Sequence, residues 1–248
     1  MVKDLRVVLI DSSSASRFVK RHHYSGKIVN NSKIHFGVMQ GDNLKGVMSF
    51  GCPMDKNRAI KLVKNTKWGA MLELNRMAFA PELPKNSESR CLGYALRYLK
   101  KNYPYLKWIQ TYADACQCGD GTIYRATGFY LVGVKKNNTL RVLENGRIVA
   151  DKSMNDIRIN GKYLSSMVKS TPLAGFQIKY IYFLDPEAKK DLTVPILPYS
   201  AIEAAGAKMY KGKRGGSLKV ECPIFQSEEG GAIPTSPLQK EEGNGTSN

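Results

Sequence analysis

The chain has 248 residues, of which 42% are hydrophobic, so it can bury one substantial core with appendages but hardly two independent ones. It lacks the about 20 uninterrupted apolar residues that span a bilayer, and residues 1–6 do not begin a signal peptide. These features exclude a membrane protein, and we expect a soluble, cytoplasmic one. The net charge of +17 favours a polyanionic partner, and cations interleaved with aromatic residues favour nucleic acid.

The five cysteines do not form a disulfide framework, because their number is odd and their spacing is not paired. We expect a reducing compartment and no disulfides. Cys116 and Cys118 are too close for a zinc knuckle, and no second pair of Cys or His residues completes four ligands. Structural zinc is therefore not expected.

Hydrophobic patterning predicts six strands and three clear helices within residues 5–134. The predicted strands are 5–10, 33–40, 44–51, 68–79, 107–112 and 129–134. The predicted helices are 12–21, 88–101 and 120–127. Residues 33–51 form a predicted hairpin, and 107–112 is expected at the centre of the sheet. The order predicts an α/β fold with a mixed central sheet flanked by helices.

The C-terminal part of the chain predicts a β-rich extension and two further segments. Residues 139–152 predict a hairpin around Asn145-Gly146, and residues 175–184 predict another strand, so that one domain covers residues 1–185. Prolines predict an extended, basic segment at 186–225. Gly, Ser, Pro and Glu predict a disordered tail at 226–248. The residues expected to bind DNA phosphates are Lys208, Lys211, Lys213 and Arg214, although a plain solvated loop fits this stretch as well.

Two short segments point to a donor site. Arg90-Cys91-Leu92-Gly93-Tyr94-Ala95 opens a predicted helix after a strand, where backbone amides favour a pyrophosphate. It matches the Arg/Gln-x-x-Gly-x-Gly/Ala pattern of GCN5-related N-acetyltransferases, and Tyr124-Arg125-Ala126-Thr127-Gly128-Phe129 resembles their Tyr-x-x-x-Gly-Phe segment. The resemblance implies an acetyltransferase-like fold. The implied site for acetyl-CoA, or for another donor of a two-carbon unit, contains Ser89, Arg90, Gly93 and Ala95.

A more specific resemblance is carried by four blocks within residues 15–135. They are His22-His23-Tyr24-Ser25-Gly26, Glu73-Leu74-Asn75-Arg76-Met77, Ser89-Arg90-Cys91-Leu92-Gly93, and Thr111-Tyr112-Ala113-Asp114 leading to Tyr124. Together they resemble the Mom DNA-modification proteins of bacteriophages. The resemblance implies a phage-encoded enzyme of the host cytoplasm that adds a carbamoylmethyl (acetamido) group to the exocyclic amine of adenine in double-stranded DNA. This modification would protect the DNA from host restriction.

The same resemblance implies the site residues. His23, Tyr24 and Tyr124 match the proposed iron ligands of the family, and Arg76, Asp114 and Tyr124 match its catalytic positions. Neutral imidazole and phenolate oxygen suit iron, and three protein ligands leave positions open for substrate. His22 would replace His23 if the alignment shifts by one residue.

Each of these residues also fits a structural role. Tyr124 fits a core aromatic beside Phe129, with Gly128 ending a helix. Arg76 fits a salt bridge at the sheet edge as well as a bidentate contact with a carboxylate or phosphate. Asp114 fits the N-cap of the next helix. At the end of a central strand it could instead bind the base edge or accept a proton from the amine.

Two other functions compete with DNA modification. A conventional acetyl-CoA-dependent N-acetyltransferase would need no DNA, and the net charge disfavours it. A nonenzymatic DNA-binding protein with an acyltransferase-like core needs phosphate contacts alone. An enzyme acting on duplex DNA must flip the adenine out, and we expect the base to stack on Tyr24, Phe36 or Tyr130. The sequence carries no signal for an oligomeric state.

Overall fold

The computed structural model describes residues 5–207, except Tyr24, Gln117, Cys118 and Ile157. Several predicted features therefore lie outside the described residues: the iron ligand Tyr24, the phosphate-binding residues Lys208, Lys211, Lys213 and Arg214, and the tail 226–248. Within the described part, no helix is both long enough and apolar enough to cross a membrane.

The described residues form twelve strands, seven α-helices and one 3₁₀ helix. The strands are β1 (Leu5–Leu9), β2 (Ser32–Gln40), β3 (Asn43–Gly51), β4 (Met71–Phe79), β5 (Trp108–Asp114), β6 (Tyr130–Lys136), β7 (Leu140–Leu143), β8 (Ile148–Ala150), β9 (Arg158–Ile159), β10 (Lys162–Tyr163), β11 (Ser170–Pro172) and β12 (Phe176–Phe183). The helices are α1 (Ser12–His22), α2 (Lys56–Ile60), α3 (Ser87–Asn102), α4 (Thr122–Ala126), α5 (Asp151–Asp156), α6 (Leu164–Met167), the 3₁₀ helix (Pro186–Asp191) and α7 (Ser200–Ala204).

Seven strands form one mixed sheet in the order β1-β2-β3-β4-β5-β12-β6. Each neighbouring pair is antiparallel except β4 and β5, which are parallel. The predicted fold class, a mixed central sheet flanked by helices, is confirmed. The predicted β2-β3 hairpin and the central position of β5 are confirmed as well.

Strands β4 and β5 separate near the middle of the sheet. Their backbones pair over only three residues of each strand, ending at Glu73 and Gln110. One residue further along, the Thr111 hydroxyl donates to the carbonyl oxygen of Leu74 at 3.2 Å. A side chain thus takes the place of a backbone donor, and the sheet opens beside Glu73 and Gln110.

Helix α3 covers one face of the sheet. The side chains predicted to form its apolar face are buried: Leu92, Ala95, Leu96 and Leu99. They share a core with Leu72, Leu74 and Ile109 of β4 and β5. Because full burial of a leucine contributes about 1.5–3 kcal/mol, this layer supplies much of the hydrophobic stabilisation and fixes the position of α3 on the sheet.

Helices α1 and α2 and the 3₁₀ helix cover the opposite face. Helix α1 begins where the Asp11 carboxylate accepts a hydrogen bond from the Ser14 amide at 2.8 Å. Its apolar side packs on β3 and β4, which brings the His22-His23 end of the helix next to β4. Helix α2 and the 3₁₀ helix pack around the buried Trp108.

The predicted β-rich extension is confirmed. Strands β7 and β8 form the predicted hairpin, with Gly146 at φ 78° in its turn, and β11 pairs with β7 to complete a three-stranded sheet. Strands β9 and β10 pair separately.

The described part of the predicted extended segment contains short helices instead. Asp185 accepts a hydrogen bond from the Glu187 amide at 3.0 Å, and Pro186 occupies a first-turn position that needs no amide donor, so the chain starts a 3₁₀ helix here. In α7, Ile202 is completely buried in the core that α3 also covers.

Candidate functional site

The predicted site residues that the structure describes are carried by three groups of elements. The first, at the end of α1 and on β4, contains His23 and Arg76. The second, around the loop between β5 and α4, contains Asp114 and Tyr124. The third, in the first half of α3, contains Ser89, Arg90, Gly93 and Ala95.

His23 ends helix α1, and its ring is held by Ser25. The Nδ1 atom lies 2.8 Å from the Ser25 hydroxyl and also accepts a hydrogen bond from the Ser25 amide at 3.2 Å. Burial, and then the nearby charge of Arg76, lower the pKa of His23 to about 4. The imidazole is therefore neutral at neutral pH, which is the form that binds metals.

Arg76 contacts backbone carbonyls. Its Nε donates to the Lys27 oxygen at 2.9 Å, and one terminal nitrogen donates to the Asn75 oxygen at 2.6 Å. These bonds fasten the segment after α1 to β4 and keep the guanidinium close to His23. The salt bridge that the sequence allowed and a contact with a substrate carboxylate or phosphate both stay predictions.

The other two histidines make structural contacts. The exposed His22 stacks on Phe18, with ring centroids 4.2 Å apart. His35 is buried, and its Nδ1 lies 2.9 Å from the hydroxyl of Ser49. His35, Ser49 and Arg76 line a cavity of about 150 Å³ between α1 and the sheet.

Asp114 caps a turn rather than a helix. Its Oδ1 accepts a hydrogen bond from the Cys116 amide at 3.0 Å. Helix α4 begins only at Thr122, whose amide and hydroxyl bind Asp120 at 3.1 and 2.8 Å. The interpretation of Asp114 as the N-cap of this helix was therefore wrong, because Gly121 occupies the N-cap position. The buried Asp120, one residue earlier, binds the first turn and also pairs with Arg125 at 3.5 Å.

Tyr124 is largely buried at 8% exposure. Its ring centroid lies 5.5 Å from that of Phe129 and 5.4 Å from that of Tyr180. Gly128 follows α4 with φ 83° and ends the helix as predicted. The core role that the sequence allowed for Tyr124 is observed, and its roles as iron ligand and catalytic residue stay predictions.

The predicted donor site lies at the start of α3. Asn86 precedes the helix in the left-handed region, and its carbonyl oxygen accepts from the Ser89 hydroxyl at 3.2 Å. Arg90 is exposed, whereas Ala95 is completely buried in the core. A Cβ atom on Gly93 would meet only the tip of Arg97 at 3.5 Å, so the fold itself does not require glycine there. Donor binding by these residues stays a prediction.

The predicted iron site is compatible with these contacts in its donor chemistry. His23 offers a neutral imidazole, and Tyr124 offers a phenol oxygen. Among the described residues, no cluster of three or more His, Cys, Asp or Glu side chains is suited to hold a metal. An iron centre of His23, Tyr24 and Tyr124 would thus depend on tyrosine oxygens.

A polar cluster that the sequence analysis missed lies where β4 and β5 separate. This β4–β5 cluster consists of Glu73, Gln110, Tyr112 and Lys179. Burial raises the pKa of Glu73, whose Oε2 accepts from the Gln110 amide nitrogen at 2.6 Å. The available signal was the alternation of polar Gln110 and Tyr112 with buried neighbours inside a predicted central strand.

Two of the three aromatic residues expected to stack on a flipped base are described, and the rings of both contact other side chains. Phe36 is buried against Phe50 and Tyr98, so this prediction was wrong. Lys189 lies 4.2 Å from the ring centroid of Tyr130. Tyr112 is the better exposed aromatic, with 45% of its surface accessible.

Several solved structures overlap part of the chain. The ribosomal-protein-S18-alanine N-acetyltransferase from Escherichia coli is 10% identical, with a TM-score of 0.44 over 73% of this chain and 94% of that one. A Bacillus subtilis acetyltransferase in complex with CoA is 13% identical, with a TM-score of 0.44 over 72% and 98%. The ribosomal-protein-S5-alanine acetyltransferase from Vibrio fischeri is 14% identical, with a TM-score of 0.45 over 75% and 96%. These overlaps are too low to support a functional conclusion.

The sequence comparisons are stronger. The model of the Mom protein family matches residues 4–201. The methylcarbamoylase Mom of Escherichia phage Mu is 34% identical over 199 residues, which cover 78% of this chain and 81% of that protein. Since the family match includes all seven strands of the main sheet, the chain belongs to the Mom protein family.

Proposed function

We propose that this protein is a transferase that adds a carbamoylmethyl group to the exocyclic amine of adenine in double-stranded DNA and so protects phage DNA from host restriction. The observation that carries the proposal is the 34% identity to a protein named methylcarbamoylase over most of both chains. The net charge of +17 supports a polyanionic substrate.

The proposed roles come from the resemblance of these residues to the family's motifs. Asp114, at the end of central strand β5, would face the adenine amine, and Arg76 would hold an anionic group beside the neutral His23. Iron held by His23, Tyr24 and Tyr124 would act as a Lewis acid towards the donor. The start of α3 would hold a donor such as acetyl-CoA.

The product limits the reaction. In a carbamoylmethyl group the adenine nitrogen is bonded to a methylene carbon, whereas acetyl transfer would bond it to a carbonyl carbon. Direct acetyl transfer from acetyl-CoA alone therefore does not give this product. The product also contains an amide nitrogen, which the donor must supply. Either the donor delivers a complete carbamoylmethyl unit through its methylene carbon, or an initial acyl adduct that already carries an amino nitrogen rearranges.

The direct test is mass spectrometry of nucleosides from plasmid DNA of cells that express the chain. We expect a deoxyadenosine heavier by one carbamoylmethyl group, and we expect Asp114→Asn to abolish it. Asp42→Asn is the matched control, because Asp42 lies in the exposed turn of the β2-β3 hairpin. Modification at the normal level by a folded Asp114→Asn variant would refute the role of Asp114.

The competing functions predict other outcomes. Acetylated protein without modified DNA would favour a conventional N-acetyltransferase. Salt-sensitive DNA binding by folded protein, without any modified nucleoside, would favour a nonenzymatic DNA-binding protein.

A further inference from the structure

The β4–β5 cluster contains a buried acceptor that the described residues do not satisfy. The Gln110 side chain is 3% exposed, and its Nε2 donates to Glu73. This bond fixes the orientation of the amide, so Oε1 is directed away from the Glu73 carboxylate. Oε1 has no hydrogen-bond partner among the described residues. A buried, oriented oxygen of this kind fits an N–H donor on a ligand.

An exposed aromatic ring lies beside this acceptor. Tyr112 follows Gln110 by two residues on β5, so both side chains are on the same face of the sheet as Glu73. Tyr112 is 45% exposed, and the Lys179 ammonium lies 5.5 Å from the centroid of its ring. If the flexible Lys179 side chain moves aside, the ring offers a stacking surface for a nucleobase.

Positive charges surround the ring. Burial raises the pKa of Tyr112 to about 12, and the nearby Arg58 opposes this rise. Burial also lowers the pKa of Lys179, and the nearby Lys135 lowers it further, so both cations act on the cluster. Arg58 and Lys135 are exposed. Such cations can bind the phosphates on either side of a base that has left the stack, and Asp55 offsets only part of their charge.

We propose that the β4–β5 cluster is the pocket that receives the flipped adenine, with Gln110 Oε1, oriented by the Glu73 carboxylate, accepting a hydrogen bond from one N–H group of its exocyclic amine and leaving the other N–H group to Asp114. The Tyr112 ring stacks on the base, and Lys179 moves from that ring to a neighbouring phosphate. This inference rests on the proposed function, because it assumes that the substrate is adenine in DNA. It concerns recognition of the base and involves no bond-making step.

The test is equilibrium binding of the full chain to two single-stranded probes. Each is a thymidine tract with one central residue, either deoxyadenosine or purine deoxyriboside, which lacks the exocyclic amine. Single strands avoid the energy of extracting a base from a duplex. The unmodified chain should prefer the adenine probe by about tenfold. Gln110→Leu should bind both probes equally, while the exposed Gln40→Leu should keep the preference.

A second variant separates stacking from amine recognition. Tyr112→Leu should weaken binding of both probes by about tenfold and preserve their ratio, because a ring stacks on either purine. The inference is overturned if the unmodified chain does not distinguish the probes, or if Gln110→Leu, with an unchanged melting temperature, retains the preference. Neither measurement needs donor, iron or turnover. A preference without any modified nucleoside would thus refute the proposed function but not the pocket, and normal modification by Gln110→Leu would refute the pocket alone.

Discussion

Glu73 is a carboxylate in a place where ionisation is unfavourable. Burial raises its pKa above the usual 4.5, while the bond from Gln110 and the charges of Lys179 and Arg76 oppose this rise. The unfolded chain therefore loses this proton at a lower pH than the folded protein does. The resulting loss of folding stability is complete above the pKa of Glu73 in the folded protein and absent below its pKa in the unfolded chain.

Glu73→Gln should remove this penalty while keeping an acceptor for the Gln110 amide. The variant should unfold at a higher temperature than the parent at about pH 8, and the difference should shrink towards about pH 4, where both side chains are uncharged. Thermal unfolding followed by circular dichroism at the two pH values measures this.

Glu82→Gln is a control in which the expected change in melting temperature has the opposite sign. Its carboxylate binds Lys45 at 2.6 Å, which lowers the pKa of Glu82. This contribution to stability is present above the unfolded pKa and is lost as the pH falls through the folded one. Glu82→Gln should therefore lower the melting temperature only at the higher pH. A Glu73→Gln effect that does not change with pH would contradict the assigned cause.

At the scale of elements, the short helix α4 shows where sequence patterns stop being decisive. Both Asp114 and Asp120 are suitable N-cap residues by type. The turn at Cys116 engages Asp114, and Gly121 at φ 83° occupies the N-cap position, so that Asp120 just before it binds the first turn of the helix. Residue type could predict that a carboxylate binds this turn, but only the path of the loop determines which one does.

Gly121→Ala should strongly destabilise this element. A Cβ atom there would lie 2.6 Å from Tyr180 and 3.0 Å from Tyr124, in a backbone conformation that already disfavours side chains. We expect a loss of about 2–4 kcal/mol in the free energy of unfolding, measured by urea denaturation.

Gly41→Ala is the matched control for that substitution. Gly41 also has a positive φ of 57°, but nothing lies within 4 Å of an added Cβ. Its loss should be about 1 kcal/mol, from backbone strain alone. Equal losses at both glycines would mean that the contact with the two tyrosine rings carries no energetic weight.

Strand prediction succeeded where the pattern is local and failed where pairing is distant. The run before Asp114 predicts a central strand, and β5 is one. Lys179, however, which pairs with Tyr112 of this strand, lies on β12, far along the chain. The sequence therefore could not place its ammonium over the Tyr112 ring. The β4–β5 cluster was missed for this reason, although Gln110 and Tyr112 were visible as polar residues in a buried strand.

At the scale of the whole molecule, the positive charge is concentrated in residues 1–207. Residues 208–225 hold five Lys and Arg against one Glu, and residues 226–248 hold one Lys against four Glu. These two segments nearly cancel in net charge. The net charge of the whole chain therefore does not reveal their separate contributions to DNA binding, and each segment must be changed by itself.

Replacing the four predicted phosphate-binding residues with glutamine tests that contribution. If Lys208, Lys211, Lys213 and Arg214 each contact one phosphate, the slope of log affinity against log salt concentration should decrease in magnitude by about 3 to 4. Fluorescence anisotropy with a duplex probe measures the slope. Deletion of residues 226–248 is the control and should not reduce the slope. An unchanged slope in the substituted chain would support the plain solvated loop.

The position of β12 has a consequence for synthesis on the ribosome. Strand β6 pairs with the main sheet only through β12, which comes last in the chain of its seven strands. A nascent chain that has emerged only through residue 136 therefore cannot add β6 to the sheet, and β5 has one open edge. Until residue 183 is available, these edges are exposed to pairing with other chains. Slower elongation through residues 137–175 would prolong that exposure and increase aggregation.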